Sequence, residues 1–303
     1  MQLKSIILFL VLGNLRVAAL AQRDLEKLNL HGQVQKIVET EFDVLPSEDG
    51  TVISTLQQKW NEFYYDEKGN LTGWVDFYYN GNVSSYFKKE YDSTGNLVTQ
   101  IFYNPDHTIT GTINYTYNKT GQEIIWVRKD MTGNVIYKWE NTYNKKGHRI
   151  KSCSYTKKQE PDFTYQYQYD KKGNRTGELW FDSTQTKIKT ITVEYDSGGN
   201  QTCITTHDGN MNFVNQWIKE YNEKNKVTSA VMKYSVDDPG ISYIYEYDSL
   251  NNVISVLHYD SKGEIVKNTS YVYEYDEHNN WIKKTEYYFD VAIKSWGRQI
   301  LYY

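Results

Sequence analysis

The chain has 303 residues, with 38 acidic against 34 basic side chains and a formal net charge of −4. That balance argues against a nucleic-acid partner, which would want a basic stripe. Only 39% of residues are hydrophobic and 29 are tyrosine, so burial must rest on rings that pack while their hydroxyls reach water.

Residues 1–21 have the layout of a secretory signal peptide. Lys4 gives the positive start, Ile6 to Leu12 the apolar core, and Ala19-Leu20-Ala21 the cleavage site. The uncharged apolar stretch is too short to anchor the chain across a membrane, so no stable membrane span is expected. Cleavage removes Lys4 and Arg16 and leaves a net charge of about −6. The predicted location is secreted, periplasmic or on the cell surface. Residues 22–41 read as a polar lead, with one helical turn around Asp24 to Leu28, followed by a first strand that ends near Asp43 in a degenerate copy of the motif described next.

From Tyr65 onward a tyrosine returns every 26 residues, at Tyr91, Tyr117, Tyr143, Tyr169, Tyr195, Tyr221 and Tyr247; Tyr275 follows after a step of 28. A fixed period of this size marks a repeat architecture. Each tyrosine is followed by Asp or Asn, as in Tyr65-Asp66 and Tyr91-Asp92. Four positions after it stand Gly69, Gly95, Gly121, Gly147, Gly173, Gly199, Asn225, Asn251 and Asn279. Asp and Asn open turns by bonding the backbone two residues on. Gly and Asn tolerate the positive φ that closes a type I turn with a G1 bulge. A looser turn, such as Asn80-Gly81-Asn82 or Asp208-Gly209-Asn210, falls between successive motifs.

Two strands per unit predict an all-β chain over residues 42–303. The expected fold is a long antiparallel β-meander of about 18 strands, all motif turns on one edge, curled or folded over its aromatic face. Pairing Tyr with Tyr+6 and Tyr−4 with Tyr+10 predicts same-face pairs Tyr65–Leu71, Tyr91–Leu97, Phe87–Ile101, Ile113–Val127, Trp139–Cys153, Tyr165–Leu179, Trp217–Val231 and Tyr243–Leu257. The repeated tyrosines then line the buried face. The same frame places Trp74, Tyr86, Phe102, Trp126 and Trp180 on the opposite, wetter face among polar and charged neighbours. Cys153 and Cys203 fall four strands apart, about 19 Å in a flat sheet, too far for a disulfide.

The Tyr-Asp-x-x-Gly-Asn-Leu unit resembles the YD repeat of Rhs and teneurin-type proteins, over roughly residues 42–303. The resemblance implies β-ribbons that wind into shells; some members of that family are called sugar-binding and some enclose a C-terminal toxin. This chain ends on a repeat strand and has far fewer strands than a closed shell, so the expectation is a short secreted bacterial form that encapsulates nothing.

No catalytic signature occurs, no metal motif and no phosphate loop, so no enzyme activity, metal or cofactor is expected. The Asp/Asn row after each tyrosine is explained by turn opening without calcium, whose six to eight oxygen ligands a row spaced at about 10 Å does not supply. Flat rings rimmed by polar groups suit stacking on a ligand such as a sugar. The expected function is therefore a non-enzymatic binding module with a glycan or a cell-surface protein as partner. The alternative is a structural protein that associates with itself through its first and last strands, which are open edges unless the ribbon closes.

Overall fold

The computed structural model describes residues 24–46 and 52–303; the expected secretory segment lies outside them. A short helix, α1 (Asp24–Lys27), precedes twenty strands. These are β1 (Val34–Pro46), β2 (Val52–Tyr65), β3 (Leu71–Phe77), β4 (Val83–Tyr91), β5 (Leu97–Tyr103), β6 (Ile109–Tyr117), β7 (Glu123–Asp130), β8 (Val135–Tyr143), β9 (Arg149–Tyr155) and β10 (Pro161–Tyr169). They continue as β11 (Arg175–Phe181), β12 (Lys187–Tyr195), β13 (Gln201–Asp208), β14 (Phe213–Tyr221), β15 (Val227–Lys233), β16 (Ile241–Tyr247), β17 (Val253–Tyr259), β18 (Ile265–Tyr275), β19 (Trp281–Tyr288) and β20 (Val291–Tyr302).

Each strand pairs antiparallel with its neighbours in sequence, and β1 also pairs with β20. The sheet is thus a closed barrel of twenty strands. Three expectations are corrected here. The nine motif turns join β2 to β3 and so on to β18 and β19, which accounts for eighteen strands; β1 and β20 flank them and bring the number to twenty. The chain near Asp43 holds no turn, because β1 runs through it to Pro46. The strands expected to be open edges pair with each other, as in Ile37↔Ile300 and Glu39↔Arg298. Ion pairs across this seam join Arg298 to Glu39 (2.8 Å) and Lys294 to Glu41 (2.7 Å).

The motif turns form as their chemistry requires. The Asp92 N–H donates to the Asn96 carbonyl at 2.9 Å and the Gly95 N–H to the Asp92 carbonyl at 3.0 Å. The Asp92 carboxylate accepts from the backbone N–H of Thr94 and of Asn96, both at 2.9 Å. These bonds, led by the Thr94 hydroxyl, hold its pKa down at about 2. Gly95 has φ 89° and Asn225 φ 58°. The turns on the other rim are not looser: most repeat the same pair of backbone bonds, as at Asp208/Asn212 and Asp182/Thr186. There the left-handed position also admits His107, Gln159, Gln185 and Met211.

The G1 bulge has a consequence for register. Tyr65 pairs with Leu71 and Tyr91 with Leu97, as expected. Beyond the bulge two residues oppose one, so Tyr64 pairs with Gly73 and Phe87 with Phe102 rather than Ile101. The other expected pairs slip likewise. Ile113 faces Arg128, Trp139 faces Ser154, Tyr165 faces Trp180, Trp217 faces Met232, and Tyr243 faces His258. One residue of slip turns every later side chain of the strand to the other face. A ladder row also advances from Glu194 through Cys203 to Ile218, 24 residues against a 26-residue repeat. That stagger is what closing a sheet into a barrel demands.

The repeated tyrosines face inward. Positions one and three residues before them, such as Glu90 and Lys88 or Glu194 and Thr192, are exposed on the outer wall. Each tyrosine hydroxyl reaches back to the preceding repeat, where the bulge leaves a carbonyl unpaired. The β3–β4 ladder stops at Gly73↔Lys88, and the Leu71 carbonyl accepts from Tyr91 at 2.9 Å. Tyr117, Tyr143, Tyr169, Tyr195, Tyr221 and Tyr247 repeat that bond to the residue twenty positions earlier. At the 28-residue step Tyr273 takes the role, bonding the Val253 carbonyl. Tyr275 instead donates to Asp248.

The apolar core is small and lies at one end. Leu25 and Leu30 of the N-terminal lead pack with Val34, Ile37 and Tyr65. Asp24 accepts from the Leu71 N–H at 2.9 Å, and Asn280 bonds both the N–H and the carbonyl of His31 at 2.8 Å. Elsewhere, strands in substantial contact are ladder neighbours; none packs across the barrel. Barrels of 16 to 18 strands already leave an aqueous interior. Cys153 and Cys203 are free, on the outer wall four strands apart.

Candidate binding site on the inner wall

The bulge relocates the rings that the sequence singled out. Trp74 pairs with Phe63 and Phe87, Phe102 with Phe87, Trp126 with Tyr115 and Trp139, and Trp180 with Tyr165. All four therefore share the inner face with the repeated tyrosines, not the opposite face. Tyr86 alone stays outside, stacked on Tyr103 at 4.5 Å with its hydroxyl 2.7 Å from His107 Nδ1. The expected group of five thus splits into four inner rings and one outer ring.

On the inner wall these rings meet others that the uncorrected register had placed apart from them. Trp126 and Trp139 stack at 6.2 Å with planes 7° apart, Trp139 and Tyr165 at 5.2 Å, and Trp180 meets Tyr165 edge-on at 5.1 Å. This run crosses β7 to β11. A second group, Trp74–Phe87–Phe102, continues the belt over β3 to β5, with the Arg128 guanidinium 5.2 Å from the Phe102 ring centre. The rings are half-buried rather than buried, as befits a wall facing open space.

Hydrogen bonds fix the orientations of Trp139 and Trp180. Trp139 Nε1 donates to Asn141 Oδ1 at 3.0 Å, and the Ser152 hydroxyl donates to the same oxygen at 2.7 Å. Trp180 Nε1 donates to Glu178 at 3.0 Å, and Glu178 is paired with Arg175 at 2.9 Å. Lys189 lies 4.2 Å from the Trp180 ring centre. Burial pushes the Tyr165 phenol up to about 12, so it remains a neutral donor at ordinary pH. Such an arrangement offers flat apolar faces with charged and amide groups at their edges. It holds no nucleophile–base pair, and no cluster of His, Cys, Asp or Glu that would hold a metal occurs among the described residues.

Sequence reasoning missed Trp139 and Tyr165 as partners of Trp126 and Trp180. The signal was present, because the turn that predicts a G1 bulge also predicts the one-residue slip.

No protein-family model matches the chain, and no curated protein matches it in sequence. Solved structures resemble it in shape. The Photorhabdus luminescens Tc holotoxin pore is similar over 81% of this chain at 14% identity and TM-score 0.39. TcdB2-TccC3 without its hypervariable C-terminal region is similar over 85% at 13% identity and TM-score 0.40. The chain spans 16% and 19% of those two proteins. A porin-like protein from Bacteroides uniformis is similar over 88% of this chain and 98% of its own length, at 12% identity and TM-score 0.35.

Proposed function

We propose that the protein is a secreted or envelope-exposed, non-enzymatic carbohydrate-binding barrel whose ligand stacks on the inner aromatic belt. The observation that carries this reading is the run Trp126–Trp139–Tyr165–Trp180, half-exposed along a wall that no opposing strand covers. Flat rings with fixed edges accept the apolar face of a sugar, and the groups around them suit its hydroxyls. Rings already locked by Asn141 and Glu178 lose little freedom on binding.

Two other readings fit less well. No helix among the described residues is long and apolar enough to cross a membrane, which leaves open a barrel that spans with its strands. Such a barrel needs an outward apolar band, whereas this outer wall carries Lys88, Lys138, Glu140, Lys151, Glu194 and Glu220. Self-association through open edges has no edges to use, since β1 and β20 pair.

The test is glycan-array and tryptophan-fluorescence titration of the wild-type chain against Trp126→Ala and Trp180→Ala, each checked for an unchanged far-UV spectrum. Stacking of a nucleobase on one aromatic side chain is worth about 1–3 kcal/mol, so on that scale each change should weaken a bound glycan by about fivefold or more. Retention of every ligand by both variants would sink the reading.

A further inference from the structure

The inner wall opposite in sequence to the belt carries a second pattern. One ladder row crosses five strands, β14 to β18, as Lys219–Ala230–Tyr243–His258–Lys267. Tyr243 and His258 stack at 4.6 Å with planes 19° apart. Ala230, a small buried side chain, stands between the cation and the stacked pair. The two lysines stand four strands apart, about 19 Å along the wall.

Cations predominate elsewhere on this arc. Lys189 lies over Trp180, and Lys284 lies 4.3 Å from the Tyr271 ring centre and 5.0 Å from that of Trp296. Among the described residues none of Lys189, Lys219, Lys267 and Lys284 has a carboxylate within ion-pair distance. The acids nearest in the ladder are Asp208 opposite Lys189, engaged in its own turn, and Glu286 two residues from Lys284. Burial alone lowers the Lys219 pKa, and burial lowers that of Lys284 against the opposing pull of the Glu286 and Glu39 carboxylates. The outer wall of the same arc carries Glu194, Glu220, Glu246 and Glu274, one residue before each motif tyrosine, against Lys233 and Lys283, the latter ion-paired with Glu274 at 2.9 Å.

We infer that the inner wall of β12 to β19 is an anion-binding surface and that the glycan taken by the barrel is an acidic one, bearing carboxylate or sulfate groups that Lys219 and Lys267 engage. The inference rests on the reading of the inner belt as a glycan site and adds its charge. Unpaired cations beside aromatic faces match a chain of sugar rings with regularly spaced anions. The outer carboxylates repel polyanions from the wrong side, so charge directs such a ligand inward.

The experiment measures binding of the full chain to four probes by titration: oligogalacturonate, its methyl ester, dextran sulfate and neutral dextran. An oligothymidylate is the fifth arm. At least one acidic glycan should bind ten times more tightly than its neutral counterpart, with the preference falling as salt is raised. The double variant K219Q/K267Q should abolish that preference, and the outer-wall control K151Q/K233Q should keep it. Carboxylate and sulfate are told apart by which acidic probe is preferred. Equal affinity for acidic and neutral glycans, or a preference unchanged in K219Q/K267Q, overturns the inference while leaving the belt in place. Failure of all glycans overturns both readings, and lysine-dependent binding of oligothymidylate alone replaces the glycan with a nucleic acid.

Discussion

The Tyr303 hydroxyl donates to the Tyr65 carbonyl at 2.7 Å, across 238 residues of sequence. It reaches past β1 to the last residue of β2 and ties the C-terminus to the strand beyond the seam, whereas in the ladder of the repeats each tyrosine, as Tyr91 to Leu71, bonds the residue twenty positions earlier. Each rung satisfies a carbonyl that the bulge removes from the sheet. Replacing one rung, Tyr195→Phe, keeps the ring and strips the 2.7 Å bond to the Arg175 carbonyl. The expected cost is about 1 kcal/mol, toward 3 if the carbonyl stays dry. Urea denaturation should show a lower midpoint at unchanged slope.

The ladder also predicts how alkali acts. Burial pushes the Tyr65 and Tyr273 phenols up to about 12, against about 10 in an unfolded chain, and raises Tyr91, Tyr117, Tyr143 and Tyr169 in the same direction. A group whose folded pKa is raised contributes stability that is complete below the unfolded value. Above pH 10 the unfolded chain loses protons that the folded chain keeps, so stability falls as pH rises toward 12 and beyond. Absorbance at 295 nm should show these phenols ionising together with loss of β-sheet ellipticity. Ladder tyrosines that ionise near pH 10 with the barrel intact would contradict this.

The two rims differ in one residue of the turn, and that difference fixes the sign of a mutation. Gly95 has φ 89° and no atom within 4 Å of an added Cβ, so Gly95→Ala isolates the left-handed penalty, about 1 kcal/mol. Met211 already sits at φ 68° on the opposite rim. Met211→Gly relieves that strain and should stabilise, by about 1 kcal/mol less the added freedom of the unfolded glycine. Thermal or urea unfolding of the two variants should move in opposite directions.

These turns also show how far the fold was legible. The 26-residue period and the Gly/Asn restriction at Tyr+4 were enough for strands, turns and the inward tyrosine row, because each turn is a local event. The side on which Trp74, Phe102, Trp126 and Trp180 stand was lost to a single bulge residue, Thr72 in the first repeat, whose effect spreads along the following strand. Turns at Gln159 and Gln185 carry the motif geometry without its composition, since the sheet on either side pays the left-handed strain. Closure was hidden for a different reason. β1 and β20 meet from opposite ends of the chain, through pairs such as Glu39–Arg298, and no local pattern announces a contact of that range.

Closure reverses the outcome expected from trimming the C-terminus. Were the end strands open edges, removing Ile300 to Tyr303 would abolish self-association. In the closed barrel those residues pair with β1, at Val34↔Tyr302, Lys36↔Leu301 and Ile37↔Ile300, and Tyr303 bonds both Gln33 and Tyr65. Their loss uncovers the backbone of β1 and takes Ile300 and Tyr302 away from the core around Leu25 and Val34. A strand stripped of its partner offers unpaired N–H and C=O groups to another chain. The truncated protein should therefore form concentration-dependent oligomers while the full chain stays monomeric, as read by analytical ultracentrifugation. Loss of oligomers on trimming would mean that the seam between β1 and β20 is not made in solution.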